Sequence, residues 1–209
     1  LQTEKYMLSE QKVTDMQTAV MLSQIQPHFL YNSLSSIAWL CEKDPRTAKN
    51  ATIAFAEYLR GNMDSLKEKN PIPFTRELDH LKHYLYLEKM RFGDCLDIVL
   101  DIQAVNFKIP VLSLQPLVEN AIRHGVSMKE EGGRITIFSR ELPRYFEIRI
   151  IDNGFGFDPA ASDPDSKKHI GIKNVQSRLK TMCNGTLSIN STPGAGTAVT
   201  ITIPKEVSF

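Results

Sequence analysis

In the stretch IIDNGFGFDP, residues 150–159, an apolar run ends in Asp152 and Asn153 and passes into Gly154 and Gly156. A carboxylate at the end of a buried strand can accept a hydrogen bond from an exocyclic amine, and glycines beside it let backbone approach a flat ring. Taken alone, DNG is also a common tight turn. A second stretch, LSLQPLVENAIRHGV at 112–126, gathers Glu119, Asn120, Arg123 and His124. On a helix these form one polar cluster, because residues three and four apart are neighbours. An amide oxygen can complete a magnesium shell that keeps its waters, and an arginine three residues on can reach the same phosphates. The same cluster would also suit a solvated helix face. A third stretch, HIGIKNVQSRL at 169–179, puts Gly171 where a helix begins, an arrangement that can present backbone N–H groups to phosphate or simply start a helix.

The fourth candidate is QIQPHFLYNSL at 24–34, in which Pro27 directly precedes His28 within a helical pattern. Proline inside a helix costs about 3 kcal/mol or kinks it, here leaving the Ser23 carbonyl without its donor. The apolar stripe of Leu22, Ile25 and Phe29 gives way after Pro27 to one of Leu30, Leu34, Ile37 and Cys41, roughly 100° around the helix. That shift of phase is what a kink permits. His28 and Asn32 lie nearly opposite the second stripe, one turn apart and exposed.

The elements that must position these groups fall into two unlike halves. Residues 1–69 contain almost no glycine and read as two helices, the second starting at DPRTAKNATIAF with Asp44 as N-cap and Pro45 in the first turn. Its apolar face carries Ala48, Phe55, Leu59 and Leu66. An antiparallel hairpin cannot bury both stripes alone, so a homodimeric four-helix bundle is expected, with Trp39 packed in it. Beyond EKNPIP, residues 70–209 read as a helix ending at Gly93 with Leu78, Leu81 and Leu85 in register. Strands follow at CLDIVLDIQ, with Leu96, Ile98, Leu100 and Ile102 alternating, and at RITIF, YFEIRIID, TLSIN and TAVTITIP. Helices at 112–124 and 171–183 separate them. The class is α+β, a largely antiparallel sheet covered by helices.

Composition removes several alternatives. A formal charge of +1 over 209 residues gives no global field for nucleic acid or an anionic membrane. Cys41, Cys95 and Cys183 are too scattered for a disulfide framework or a zinc motif. No apolar run approaches the roughly 18 residues that cross a bilayer, and the opening LQTEKYMLSEQK has no signal-peptide core. Starting within a helical pattern and without methionine, the chain reads as a fragment of a longer protein. His80 and His83, three apart with no third ligand, read as a solvated face. Arg91 and Arg178 read as surface salt bridges, with a phosphate contact as the alternative for Arg178. The polar segment between the two glycine motifs reads as a lid.

The order and spacing of the motifs together resemble the GHKL ATP-binding fold of histidine kinases, gyrase-type ATPases and Hsp90-type chaperones. The Asn120 helix is similar to its N box, Asp152 to Gly156 to the first glycine box, and Gly171 to the second. GAGTAVTITIP is similar to the terminal Gly-Thr strand. QIQPHFLYNSL joined to LQPLVENAIRHG, with ELDHLKHYLYLEKMRFGD between them, resembles the LytS/YesM type of sensor histidine kinase. The resemblance implies a Bergerat-type α/β sandwich after the hairpin, ATP and Mg2+ as ligands, and Thr197 beside Asp152 near adenine. It also implies His28 as the phosphorylated residue, with Asn32 and Glu119 assisting. The partners implied are a second copy of the chain and a response-regulator receiver domain whose aspartate takes the phosphoryl group. The location implied is the cytoplasmic part of a bacterial cell-membrane protein, with the membrane met only through a preceding region.

Three positions differ from the family pattern. Phe29 stands where many histidine kinases carry an acid, and Pro116 stands four residues before Asn120, where the broader fold often has a glutamate; Glu119 is adjacent instead. His169 stands where the second glycine box usually opens with glycine. Two other readings therefore stay open: a nucleotide-binding dimerisation module without phosphotransfer, and a GHKL ATPase or protein-serine kinase that does not need His28.

Overall fold

A computed structural model describes residues 27–126, 131–158 and 170–205. The expected stripe at Leu22 and Ile25, the turn leading into Pro27, and His169 with most of the expected lid lie outside these residues. The chain divides into two compact units, Leu1–Lys67 and Glu68–Phe209.

In the first unit, α1 (Pro27–Lys43) and α2 (Pro45–Ser65) are joined by Asp44 alone. The Asp44 carboxylate accepts the Thr47 N–H at 3.1 Å and the Thr47 hydroxyl at 2.6 Å, and Pro45 needs no donor in the first turn, so the second helix starts there. Phe29, Ser33 and Leu40 of α1 are buried, as are Ala48, Ala51, Ala54, Tyr58, Asn62 and Ser65 of α2. The alanines let the helices approach closely, and the Phe29 and Tyr58 rings meet with centroids 4.8 Å apart. This corrects the expected stripe. Leu34 is 51% exposed and Cys41 is exposed, because the small-residue side of α2 takes the Phe29 and Leu40 side of α1. Tyr31, Leu34, Trp39, Ile53 and Met63 stay on the surface of the hairpin.

The second unit is built on a five-stranded sheet of order β2-β4-β5-β7-β6. Its strands are β2 (Leu96–Ile102), β4 (Gly133–Glu141), β5 (Tyr145–Asp152), β6 (Thr186–Thr192) and β7 (Gly196–Pro204). Only the β2 and β4 pair is parallel. Alternate residues Ile135, Ile137, Ile148, Ile150, Val199, Ile201 and Ile203 are buried, each contributing roughly 1.5–3 kcal/mol. Above them pack α3 (Phe74–Phe92), α4 (Gln115–Asn120) and α5 (Ile170–Cys183), through Leu78, Leu81, Leu85, Leu117, Val118, Val175 and Leu179. Strand β2 is an edge, and only Leu96 in it is fully buried; Leu100 is 39% exposed, so the expected alternation fades along it. A second, two-stranded sheet pairs β1 (Ile72–Pro73) with β3 (Lys108–Ile109), segments too short to leave a pattern in the sequence. Among the described residues no helix is long and apolar enough to cross a membrane.

The helix expected over 112–124 is shorter and of two kinds. Leu112 has a φ of 53°, and the N–H groups of Leu112 and Leu114 both donate to the Glu77 carboxylate, each at 2.9 Å. Leu112 in the left-handed region cannot belong to the helix, and α4 begins only at Gln115. From Ala121 to Val126 it continues as a π-helix, a rare i→i+5 turn that is frequent at functional sites.

Candidate functional site

Asp152 ends β5 and is buried. The antiparallel register pairs it with Thr197 of β7, so the two side chains belong to adjacent strands at the same level. Gly154 N–H donates to Asp152 Oδ1 at 2.9 Å, turning the chain back at once. Asn153 holds that turn to β4, its Oδ1 accepting the Arg134 N–H at 2.7 Å and its own N–H donating to Arg134 O at 3.2 Å. Two glycines are required here by space. A Cβ on Gly154 would fall 2.1 Å from Gly125 Cα, and a Cβ on Gly125 would fall 2.7 Å from Asp152 Oδ1. Bare backbone of the π-turn is therefore laid against the carboxylate and the glycine loop. Gly156, at a φ of 60°, passes just as close to the Thr192 carbonyl.

Ser191 ties the loop to the sheet. Its Oγ lies 2.9 Å from Thr197 Oγ1, accepts the Phe157 N–H at 2.9 Å and donates to Gly196 O at 3.2 Å. Nothing in its sequence context singled out Ser191. Gly125 was legible only as part of the helix motif, since the contact that needs it comes from another strand.

On α4, Glu119 and Asn120 are half-buried and Arg123 is exposed. The backbone of His124 lies in the π-turn, and its side chain is outside the description. After Asn120 the turn bonds i→i+5, so Arg123 and His124 stand on a wider turn than the α-helix expected there. Gly171 opens α5 beside Pro116, a Cβ there lying 3.9 Å from the proline Cβ, so the second glycine motif adjoins the start of the Asn120 helix. His28 and Asn32 stand on the hairpin. His28 is exposed, with Asn32 Nδ2 at 3.1 Å from its Nδ1 and 3.3 Å from its Nε2.

Two other expectations change, those for His80 and Arg178, while Arg91 makes the salt bridge expected of it. His80 is not on a solvated face: its Nε2 is 2.7 Å from Gln115 Oε1, and the Gln115 amide donates to Glu119 Oε1 at 2.7 Å. Burial holds the His80 pKa below its usual value, against the opposing pull of the Gln115 bond. Arg178 makes neither a surface salt bridge nor an exposed phosphate donor, since its guanidinium donates to Val111 O and Leu112 O, both at 2.8 Å. Arg91 pairs at 3.0 Å with Glu88, whose side chain is only 3% exposed, and its guanidinium lies 4.2 Å from the Phe92 ring centroid. Among the described residues no group of three or more His, Cys, Asp or Glu could hold a metal ion.

Two family models match the chain. "Histidine kinase" covers residues 16–96, and "Histidine kinase-, DNA gyrase B-, and HSP90-like ATPase" covers residues 110–207. The uncharacterized protein YwpD of Bacillus subtilis (strain 168) is 39% identical over 94% of this chain and 76% of its own length. Sensor histidine kinase YpdA of Escherichia coli (strain K12) is 36% identical over 88% of this chain, and sensor histidine kinase YesM of Bacillus subtilis (strain 168) is 32% identical over 87%. The chain spans about a third of the length of these two, 33% and 32%. Among solved structures, the histidine kinase domain of the Erythrobacter litoralis EL346 blue-light activated histidine kinase superposes with a TM-score of 0.55. That match covers 86% of this chain and 94% of the other at 13% identity, a likeness of fold. The chain belongs to the histidine kinase family, with the hairpin inside the histidine kinase match and the helix-covered sheet mostly inside the GHKL-type ATPase match.

Proposed function

We propose that the chain binds Mg·ATP in the second unit, phosphorylates its own His28 and passes the phosphoryl group to an aspartate of a response regulator. The observation that carries the nucleotide site is the buried Asp152 carboxylate, paired with Thr197 and approached by the bare backbone of Gly125 and Gly154. A flat ring with an exocyclic amine suits that carboxylate, and any Cβ at either glycine would close the approach. Asp152 and Thr197 would take the adenine, with Gly156 in the loop beside them. Arg123, His124 and the α5 start at Gly171 would face the phosphates. Asn120 would hold magnesium through its amide oxygen, and the ion supplies charge neutralisation on the phosphates.

In the transfer, a lone pair on a neutral His28 ring nitrogen attacks the γ-phosphorus in line. An N–P bond forms, the bond to the β,γ-bridging oxygen breaks with its electron pair leaving on ADP, and the imidazolium formed loses the proton on its other nitrogen to solvent, to which His28 is exposed. A neutral imidazole offers one such lone pair, so the Asn32 amide must release it before attack. Phe29 cannot accept the proton. In the later step the same N–P bond breaks and a carboxylate O–P bond forms on the regulator.

Two copies of the chain are needed to cover the hairpin, through the surface of Leu34, Trp39 and Ile53. Attachment to a bacterial cell membrane belongs to a longer parent. Phosphorus NMR of the chain after incubation with Mg·ATP tests the reading. A phosphoramidate resonance in the native chain, absent from His28→Ala, supports it, and tight Mg·ATP binding without that resonance refutes it in favour of a binding module.

A further inference from the structure

Residues of α3 and α4 form a line of hydrogen bonds that ends on the acid beside Asn120. His80 Nε2 meets Gln115 Oε1 at 2.7 Å, and Gln115 Nε2 meets Glu119 Oε1 at 2.7 Å. The direction of this line follows from its end. An ionised carboxylate only accepts, so the Gln115 NH2 must face Glu119; its oxygen then faces His80, whose Nε2 must carry the hydrogen. Gln115 is 4% exposed and has no room to serve solvent instead. Its backbone is fixed as well, because Glu77, one turn before His80 on α3, holds the N–H groups of Leu112 and Leu114 just ahead of it. A two-carbon stem on a pinned backbone, with both ends of its amide engaged, has one rotamer.

We propose that His80 and Gln115 are positioning residues for phosphoryl transfer, setting the Glu119 carboxylate in one orientation beside Asn120 through the line from His80 Nε2–H to Gln115 to Glu119. The role rests on the kinase reading above. Neither side chain need touch ATP. Orientation of a charged group at a reacting phosphate is worth much in rate and little in ground-state binding, which separates this role from general stability.

The test compares the native chain with His80→Leu, Gln115→Leu, His80→Gln, Glu119→Ala and the double variant His80→Leu with Glu119→Ala. Each is assayed for Mg·ATP Kd and for labelling rate of His28 at saturating ATP. His80→Leu and Gln115→Leu should slow labelling about tenfold or more, with Kd changed less than about threefold. His80→Gln places an N–H near the position of the imidazole Nε2 and should restore most of the rate. The double variant should be no slower than Glu119→Ala alone, because one line connects the two. Additive losses, a native rate in both leucine variants, a loss that follows Kd, or no rescue by glutamine would each overturn the positioning role while leaving the kinase standing. A native chain that binds Mg·ATP and never labels would overturn the kinase reading and this role with it.

Discussion

A methyl group at Gly154 would meet Gly125 Cα at 2.1 Å, a contact that only a backbone shift can relieve. Overpacking of this kind costs about 1–3 kcal/mol, so Gly154→Ala should weaken Mg·ATP binding roughly tenfold or more, read by calorimetric titration. Unchanged affinity would remove the glycine loop from the nucleotide site. Asp152→Asn keeps the Gly154 N–H bonded through the amide oxygen but offers an NH2 to the ring amine. Its affinity should fall by a similar factor, about 1–3 kcal/mol for an unmatched buried donor. At this scale the sequence was informative where chemistry is local: Asp152, Asn153 and Gly154 stand together in the chain, and the Gly154 N–H bond to Asp152 closes the turn within three residues. It was silent on Gly125 and Ser191, whose reasons are contacts from other strands. It misread His80 and Arg178, because a polar residue on a helix reads as solvated until the element packed against it is known.

Element boundaries near the site are held by buried and half-buried polar side chains. Glu77 is buried and accepts the two N–H groups of the turn ahead of α4, while Arg178 holds the carbonyls of the same turn. Glu77→Ala would leave two buried donors without an acceptor and should cost about 2–4 kcal/mol in denaturant titration. Glu88 supplies a check with a definite sign. Burial raises its carboxyl pKa above the usual glutamate value, with Arg91 pulling the other way. A raised folded pKa means the fold favours the protonated form, so its stabilising contribution is complete below the ordinary glutamate range and is lost as pH rises through the folded value. The stability of Glu88→Gln relative to the native chain should therefore increase with pH across that interval. A difference that falls instead would show that the Arg91 pair outweighs desolvation. β4, β5, β6 and β7 were legible from alternation because each buries one face, and α3 from helical spacing, whereas β2 keeps its alternation in sequence but buries only Leu96. The π-turn and the shortened α4 were not, because backbone donors captured by a distant carboxylate leave no periodic trace.

Across the whole molecule, the hairpin leaves apolar side chains uncovered that a water-exposed monomer has no reason to keep, with Trp39 62% and Leu34 51% exposed. Leu34→Glu with Trp39→Glu should convert a dimer to a monomer in sedimentation or light scattering, without unfolding the Glu68–Phe209 unit. A native monomer at micromolar concentration would contradict the bundle. Mg·ATP should raise the stability of that unit by about 2.7 kcal/mol at a hundred times Kd, and Asp152→Asn should show little of this at the same nucleotide concentration. The two-part organisation was readable from the change in glycine content and periodicity near residue 70. The face each hairpin helix turns inward was not, because alanines on α2 decide it by permitting close approach rather than by hydrophobicity. Phosphoryl transfer to His28 is read by incubating the chain and its His28→Ala variant with Mg·ATP labelled at the γ-phosphate, then challenging the protein-bound label with acid and with alkali. A phosphohistidine at position 28 gives label that survives alkali, is lost in acid and is absent from the variant. Label that survives acid, or that persists in His28→Ala, would contradict it.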